Sequence, residues 1–219
     1  MGDIIFDTQS SVGLATPAAN KALVFVDSVG KILSVKDDSG RVAASYRNSS
    51  VASQGAGFSS DTWVTGSDII IPTFGFLQTR TQLKWAISAS KTGAGTATPV
   101  YTLRIGSARS TADTGRMTIT GPAQTAIADI GTLNIIVTIT TVGALGTWRG
   151  TAWWDHRGTA ASTTVGGVGF ANDGSGHVEQ TAATAFDMTA LSGQYVSLSI
   201  NGGASAAWTL TQVMANADW

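Results

Sequence analysis

The chain has 219 residues with 43% hydrophobic and 12% charged side chains, a net charge of -1 and no cysteine. The charged fraction is about half the usual roughly 25%, and the near-zero charge excludes a broad basic field for nucleic acid. Without cysteine there is no disulfide framework and no thiolate metal site.

Low charge on a surface rich in Thr, Ser, Ala and Gly predicts that partners cover much of it. The last Lys or Arg is Arg157, so the end of the chain is mildly acidic. This weighs against DNA and anionic membranes as partners. No apolar run approaches the roughly 18 residues needed to span a bilayer. The start, Met1 to Asp7, lacks the basic and apolar segments of a secretory signal. Synthesis in a cytoplasm is therefore expected, with no nucleic-acid and no membrane partner.

In chain order, Ala22–Val26, Lys31–Lys36 and Arg41–Ser45 read as three short strands separated by the turns Asp27–Gly30 and Asp37–Gly40. Such a meander is marginal alone. It is expected to pack on copies of itself or on another surface through Val24, Val26, Ile32 and Val35. Residues 46–60 have linker composition. The expected organisation is an arm at 1–50, a linker at 51–60 and a β domain at 61–219. The alternative is a long loop within one domain.

Beyond the linker, strands are predicted near 68–72, 75–79, 82–89, 100–106, 116–120, 132–141, 147–154, 167–170, 179–185, 195–200 and 208–214. The marks are β-branched density, alternation in Tyr195–Ile200, and Gly-rich punctuation. Many short strands and no helical period predict an all-β chain: the N-terminal meander followed by a β-sandwich, jelly-roll-like in connectivity.

Few groups suggest chemistry. Asp38-Ser39-Gly40 and Asp113-Thr114-Gly115 match the short aspartic-protease signature but sit in turn surroundings, and these are ordinary turn sequences. His156 and His177 are the only histidines. Both are expected in solvated loops, with no nucleophile elbow to serve. Asn172–His177 lacks the carboxylates of a calcium loop. A hydrolase would have to draw on Asp155, Asp173 and Glu179. No enzyme activity, cofactor or metal is expected.

Trp148, Trp153 and Trp154 form the most unusual local feature. Strand neighbours point to opposite faces, so Trp153 and Trp154 cannot both enter one core. These three are expected at a subunit interface, with packing against a loop as the second reading and stacking on a sugar as the third. The loop Lys91–Thr98 is the other candidate for a sugar contact. Trp219, the last residue, is expected to be tied down rather than frayed.

Residues 15–42 resemble a segment near the N-terminus of many bacteriophage fibre and virion surface proteins. The shared pattern is a Thr-Pro (Thr16-Pro17), a strand ending in Asp27, the Gly30-Lys31 turn, a second strand and the Asp-rich turn at 37–40. The resemblance implies an attachment or trimerisation segment followed by an exposed domain. No collagen-like run, repeat or heptad stem is present, which argues against a long shaft. The expectation is a homotrimeric capsid decoration (cement) or short head or tail fibre protein. Its partners would be copies of itself and other virion proteins, such as the major capsid protein or tail components. A host surface glycan is the rival partner.

Overall fold

The computed structural model describes residues 8–9, 14–28, 32–39, 42–51, 53–55, 58–72, 77–121, 126, 128–158, 177–181, 185–203 and 207–218. Among these residues there are fifteen strands and no helix. The chain is all-β, and its two sheets form a β-sandwich.

The larger sheet contains β1 (Thr8–Gln9), β2 (Leu23–Asp27), β3 (Leu33–Lys36), β4 (Val42–Ser50), β5 (Gln54–Gly55), β8 (Gln82–Lys91), β11 (Asp129–Thr141), β12 (Thr147–Gly158), β13 (His177–Thr181) and β15 (Trp208–Asp218). Its order is β1-β2-β3-β4-β15-β8-β11-β12-β13, with β5 also on β15. The smaller sheet has β6 (Thr62–Trp63), β7 (Ile69–Ile70), β9 (Val100–Gly106), β10 (Thr114–Thr120) and β14 (Tyr195–Asn201), in the order β10-β9-β14-β6 with β7 also on β14. All pairings are antiparallel except β1 with β2.

Alternation decides which side chains enter the core. In β8, Leu83, Trp85, Ile87 and Ala89 are buried; in β11, Leu133, Ile135, Val137 and Ile139. The facing sheet contributes Tyr101, Leu103, Ile105, Met117, Ile119, Val196, Leu198 and Ile200, all in one cluster with the first set. In β15 the register shifts between Leu210 and Gln212. This bulge changes the phase, so Trp208 and Leu210 point inward before it and Val213, Ala215 and Ala217 after it. Without it, one half of the strand would turn its apolar side chains to solvent. At Gly150 the two layers approach closely. A Cβ there would lie 2.2 Å from Met117 Cε.

The smaller sheet ends on a divided edge. β6 and β7 both pair with β14, at Ser199–Ile200 and Tyr195–Val196 respectively. Between them the chain turns through Gly66, whose φ of 82° is left-handed. Ser67 fills the gap. Its Oγ donates to Val64 O at 2.7 Å and accepts from Leu198 N–H at 3.0 Å.

The linker composition of 46–60 does not keep that stretch out of the sheet. β4 pairs with β3 over Val42–Ala44 and with β15 over Ser45–Ser50. Gln54–Gly55 pairs with β15, and Phe58 is buried in the main core. The meander is therefore joined to the sandwich by a continuous strand. The predicted strand at 167–170 and Trp219 lie outside the described residues.

Candidate functional site

Two surfaces are built unlike the rest. The first is the meander β2–β3–β4. Phe25 lies across from Ser34, and Val24 from Val35. On one face Phe25, Asp27, Ser34, Lys36 and Val42 are buried. Leu14 and Ile32 pack against Phe25 and Val42 there, and Lys36 Nζ donates to Leu14 O at 2.6 Å. The opposite face carries Val24, Val26, Leu33 and Val35. Val24 is 50% exposed, Leu33 58% and Val35 38%, and Val26 is half-buried. Asp27, Ser34 and Lys36 share the buried face with the apolar cluster of Phe25 and Val42, and the opposite valine-leucine face lies in water, where a soluble sheet normally presents polar side chains. Of the four arm residues expected at an interface, Val24, Val26 and Val35 share this face. Ile32 belongs to the other side.

The second surface is the outer face of the larger sheet. Pairing aligns Trp153, Asn134, Ala86, Met214 and Ser49 in one row across β12, β11, β8, β15 and β4. The neighbouring row is Thr151, Ile136, Lys84, Asn216 and Arg47. Ala86 is the smallest member of its row, and the surface dips over it. The result is an open cleft of about 280 Å³ lined by Lys84, Ala86, Asn134, Ile136, Trp153, Met214 and Asn216, with Trp85 and Ile135 beneath. Arg47 Nη2 donates to Met214 Sδ at 3.0 Å and steadies that wall. Lys84 Nζ is 2.5 Å from Asp218 Oδ2.

The three central tryptophans separate. Trp148 is 1% exposed and packs edge-on against Phe186, with ring centroids 5.1 Å apart. It is a core residue with no surface left for a partner, because its register opposite Ile139 puts it on the inner face. Trp153 is half-buried on the outer face. Trp154 sits opposite Leu133 in β12, and its side chain is outside the described residues.

Among the described residues, several chemistry-bearing groups are held by structural contacts. Asp113 of the Asp-Thr-Gly triplet accepts from Ala108 N–H at 3.0 Å and Arg109 N–H at 2.9 Å, closing the β9–β10 turn. Arg104 donates to Ser199 Oγ at 2.8 Å and to the carbonyls of Thr111 and Asp113, and it pairs with Asp61. Arg109 pairs with Asp68 at 2.8 Å and lies over the Tyr195 ring. In the other triplet, Asp38 accepts Asn20 N–H at 2.6 Å. His156 and His177 both fall on strands, opposite Gly131 and Trp153, rather than in the loops expected from their Gly- and Asp-rich neighbours. Among the described residues no group of three His, Cys, Asp or Glu could hold a metal ion.

Lys91 and Asp129 are buried opposite each other across β8 and β11. Burial lowers the Lys91 pKa below its usual 10.5, and the Asp129 carboxylate opposes the shift. Burial also raises the Tyr101 pKa well above 10.0. Asp187 is held below the usual carboxylate value by Thr189, whose hydroxyl donates at 2.6 Å and N–H at 2.8 Å.

No protein-family model matches the chain, and no curated protein matches it.

Proposed function

We propose that this chain is a non-enzymatic structural protein of a bacteriophage particle surface. It assembles as a homotrimer and serves as a capsid decoration (cement) protein or a short head or tail fibre. The role is mechanical: the arm docks on sister arms or on the major capsid or tail proteins, and the jelly-roll-like sandwich clamps or projects. The site of action is the virion, assembled in the host cytoplasm. The division into an arm at 1–50, a junction at 51–60 and a domain at 61–219 belongs to the same reading.

The observation that carries it is the exposed apolar face of the meander. Val24, Leu33 and Val35 stay in water although burying a Val or Leu side chain fully contributes about 1.5–3 kcal/mol. A second copy laid on this face would recover that term. The N-terminal resemblance supplies the setting, and the low surface charge fits a chain that is largely covered.

Quantitative mass spectrometry of purified particles tests this. A copy number approaching that of the major capsid protein is expected of a decoration protein, and a few copies of a fibre. Substituting Val24→Lys with Leu33→Lys is expected to leave a folded chain that no longer joins particles. Particles that lack the protein, or that take up the double variant normally, would overturn the proposal.

A further inference from the structure

We infer that the Trp153 cleft binds an uncharged saccharide. Four observations converge. The cleft rests on β12, β11, β8 and β15, paired without interruption through this region. Its shape is therefore set before any ligand arrives. It spans three inter-strand spacings, roughly 14 Å. That is the reach of a short oligosaccharide, and the volume of about 280 Å³ lies just below the range of ligand sites, roughly 300–1,000 Å³.

Its lining mixes the two chemistries a sugar presents. Trp153, Ile136 and Met214 give apolar surface, and Trp153 is only half-buried. The C–H face of a pyranose packs on an indole in this way. Asn134 and Asn216 bring carboxamides to the same cleft. Each carboxamide has both an acceptor oxygen and a donor NH₂ group. Vicinal hydroxyls, which donate and accept at once, are matched by such groups better than by any single charge.

Charge selects the ligand further. Among the described residues no carboxylate lines the cleft. Among the described residues the one lining cation, Lys84, is already paired with Asp218, so a sialylated, sulfated or phosphorylated sugar gains little. An uncharged hexose or N-acetylhexosamine chain fits both facts. No residue of the meander's exposed apolar face lines the cleft, so this inference does not depend on the proposed assembly.

The test uses the intact chain on an array of neutral hexose, N-acetylhexosamine and 6-deoxyhexose oligosaccharides, with sialylated and sulfated glycans alongside. Retention of neutral glycans is expected. Calorimetric titration of the best neutral probe then compares the parent chain with Trp153→Ala and Ala86→Leu. Each variant should weaken binding about tenfold or more, the first by removing the stacking surface and the second by filling the floor. Leu33→Lys on the arm should leave binding unchanged. Retention of charged glycans alone, no retention at all, or unchanged affinity in folded Trp153→Ala and Ala86→Leu would overturn the inference.

Discussion

Replacing Ser67 by alanine should destabilise the sandwich by about 2 kcal/mol, although the change removes one oxygen atom. Ser67 is 0% exposed and joins the two short pieces of the β14 edge. Its hydroxyl accepts from Leu198 N–H at 3.0 Å and donates to Val64 O at 2.7 Å. After substitution Val64 O keeps the Ser67 N–H as a donor at 3.2 Å. Leu198 is 0% exposed, and its N–H is left with neither partner nor water. An orphaned buried donor costs about 1–3 kcal/mol, whereas an average neutral bond is worth about 1. The orphan therefore sets the size of the effect. Urea unfolding at fixed protein concentration measures it as a lower midpoint with unchanged slope. A matching fall of roughly 4–8 °C in Tm is expected for a chain of this length. Ser88→Ala, on the outer face of β8, should stay within about 0.5 kcal/mol. A Ser67→Ala variant equally close to the parent would refute the role given to this hydroxyl.

The tryptophans should divide in the same assay: Trp148→Ala loses about 3–5 kcal/mol as a core truncation, and Trp153→Ala under about 1. Equal losses would contradict their placement on opposite faces. Gly106→Ala would put a Cβ 2.0 Å from Asp113 Oδ1, displacing the carboxylate that closes the β9–β10 turn. A loss of about 1–3 kcal/mol is expected, and none if the turn tolerates the shift. The lowered Lys91 pKa has a pH signature. Between the folded value and 10.5, the unfolded chain holds a proton the folded chain has released, so stability rises with pH. Above about pH 10 the raised pKa of Tyr101 reverses the trend, because the unfolded phenol ionises first. Urea midpoints of the parent and Lys91→Gln should show the rise only in the parent; parallel profiles would contradict it.

Most strands were readable because period-two alternation survives in β8, β9 and β11, where both composition and burial follow it; in β14 the composition alternates but both faces are buried, Ser197 and Ser199 included. The stretch 46–60 was misleading because Ser, Asn, Gln and Gly mark linkers and polar strands alike. Only pairing with β15, more than 150 residues away in sequence, distinguishes them. The phase of β12 could have placed Trp148. Trp148, Gly150 and Ala152 occupy alternate positions and are all buried, with Trp153 in the other phase. The clustering of tryptophans masked that signal. Both histidines looked like loop residues because their neighbours are turn formers, yet long-range pairing put them on strands. Neither the Ser67 bridge nor the dip over Ala86 has a local signature, since each is made by strands remote in sequence. The exposed arm face was legible at Val24, Val26 and Val35. Ile32 lies next to β3 but packs on the Phe25 side, and Leu33, the most exposed residue of the face, was missed.

Sedimentation velocity on the purified chain tests the assembly claim most directly, with the parent and the Val24→Lys, Leu33→Lys double variant run over a range of concentrations. The parent is expected to sediment as a trimer and the double variant as a folded monomer with an unchanged circular dichroism spectrum. A parent that stays monomeric at every concentration, or a double variant that remains trimeric, would contradict it.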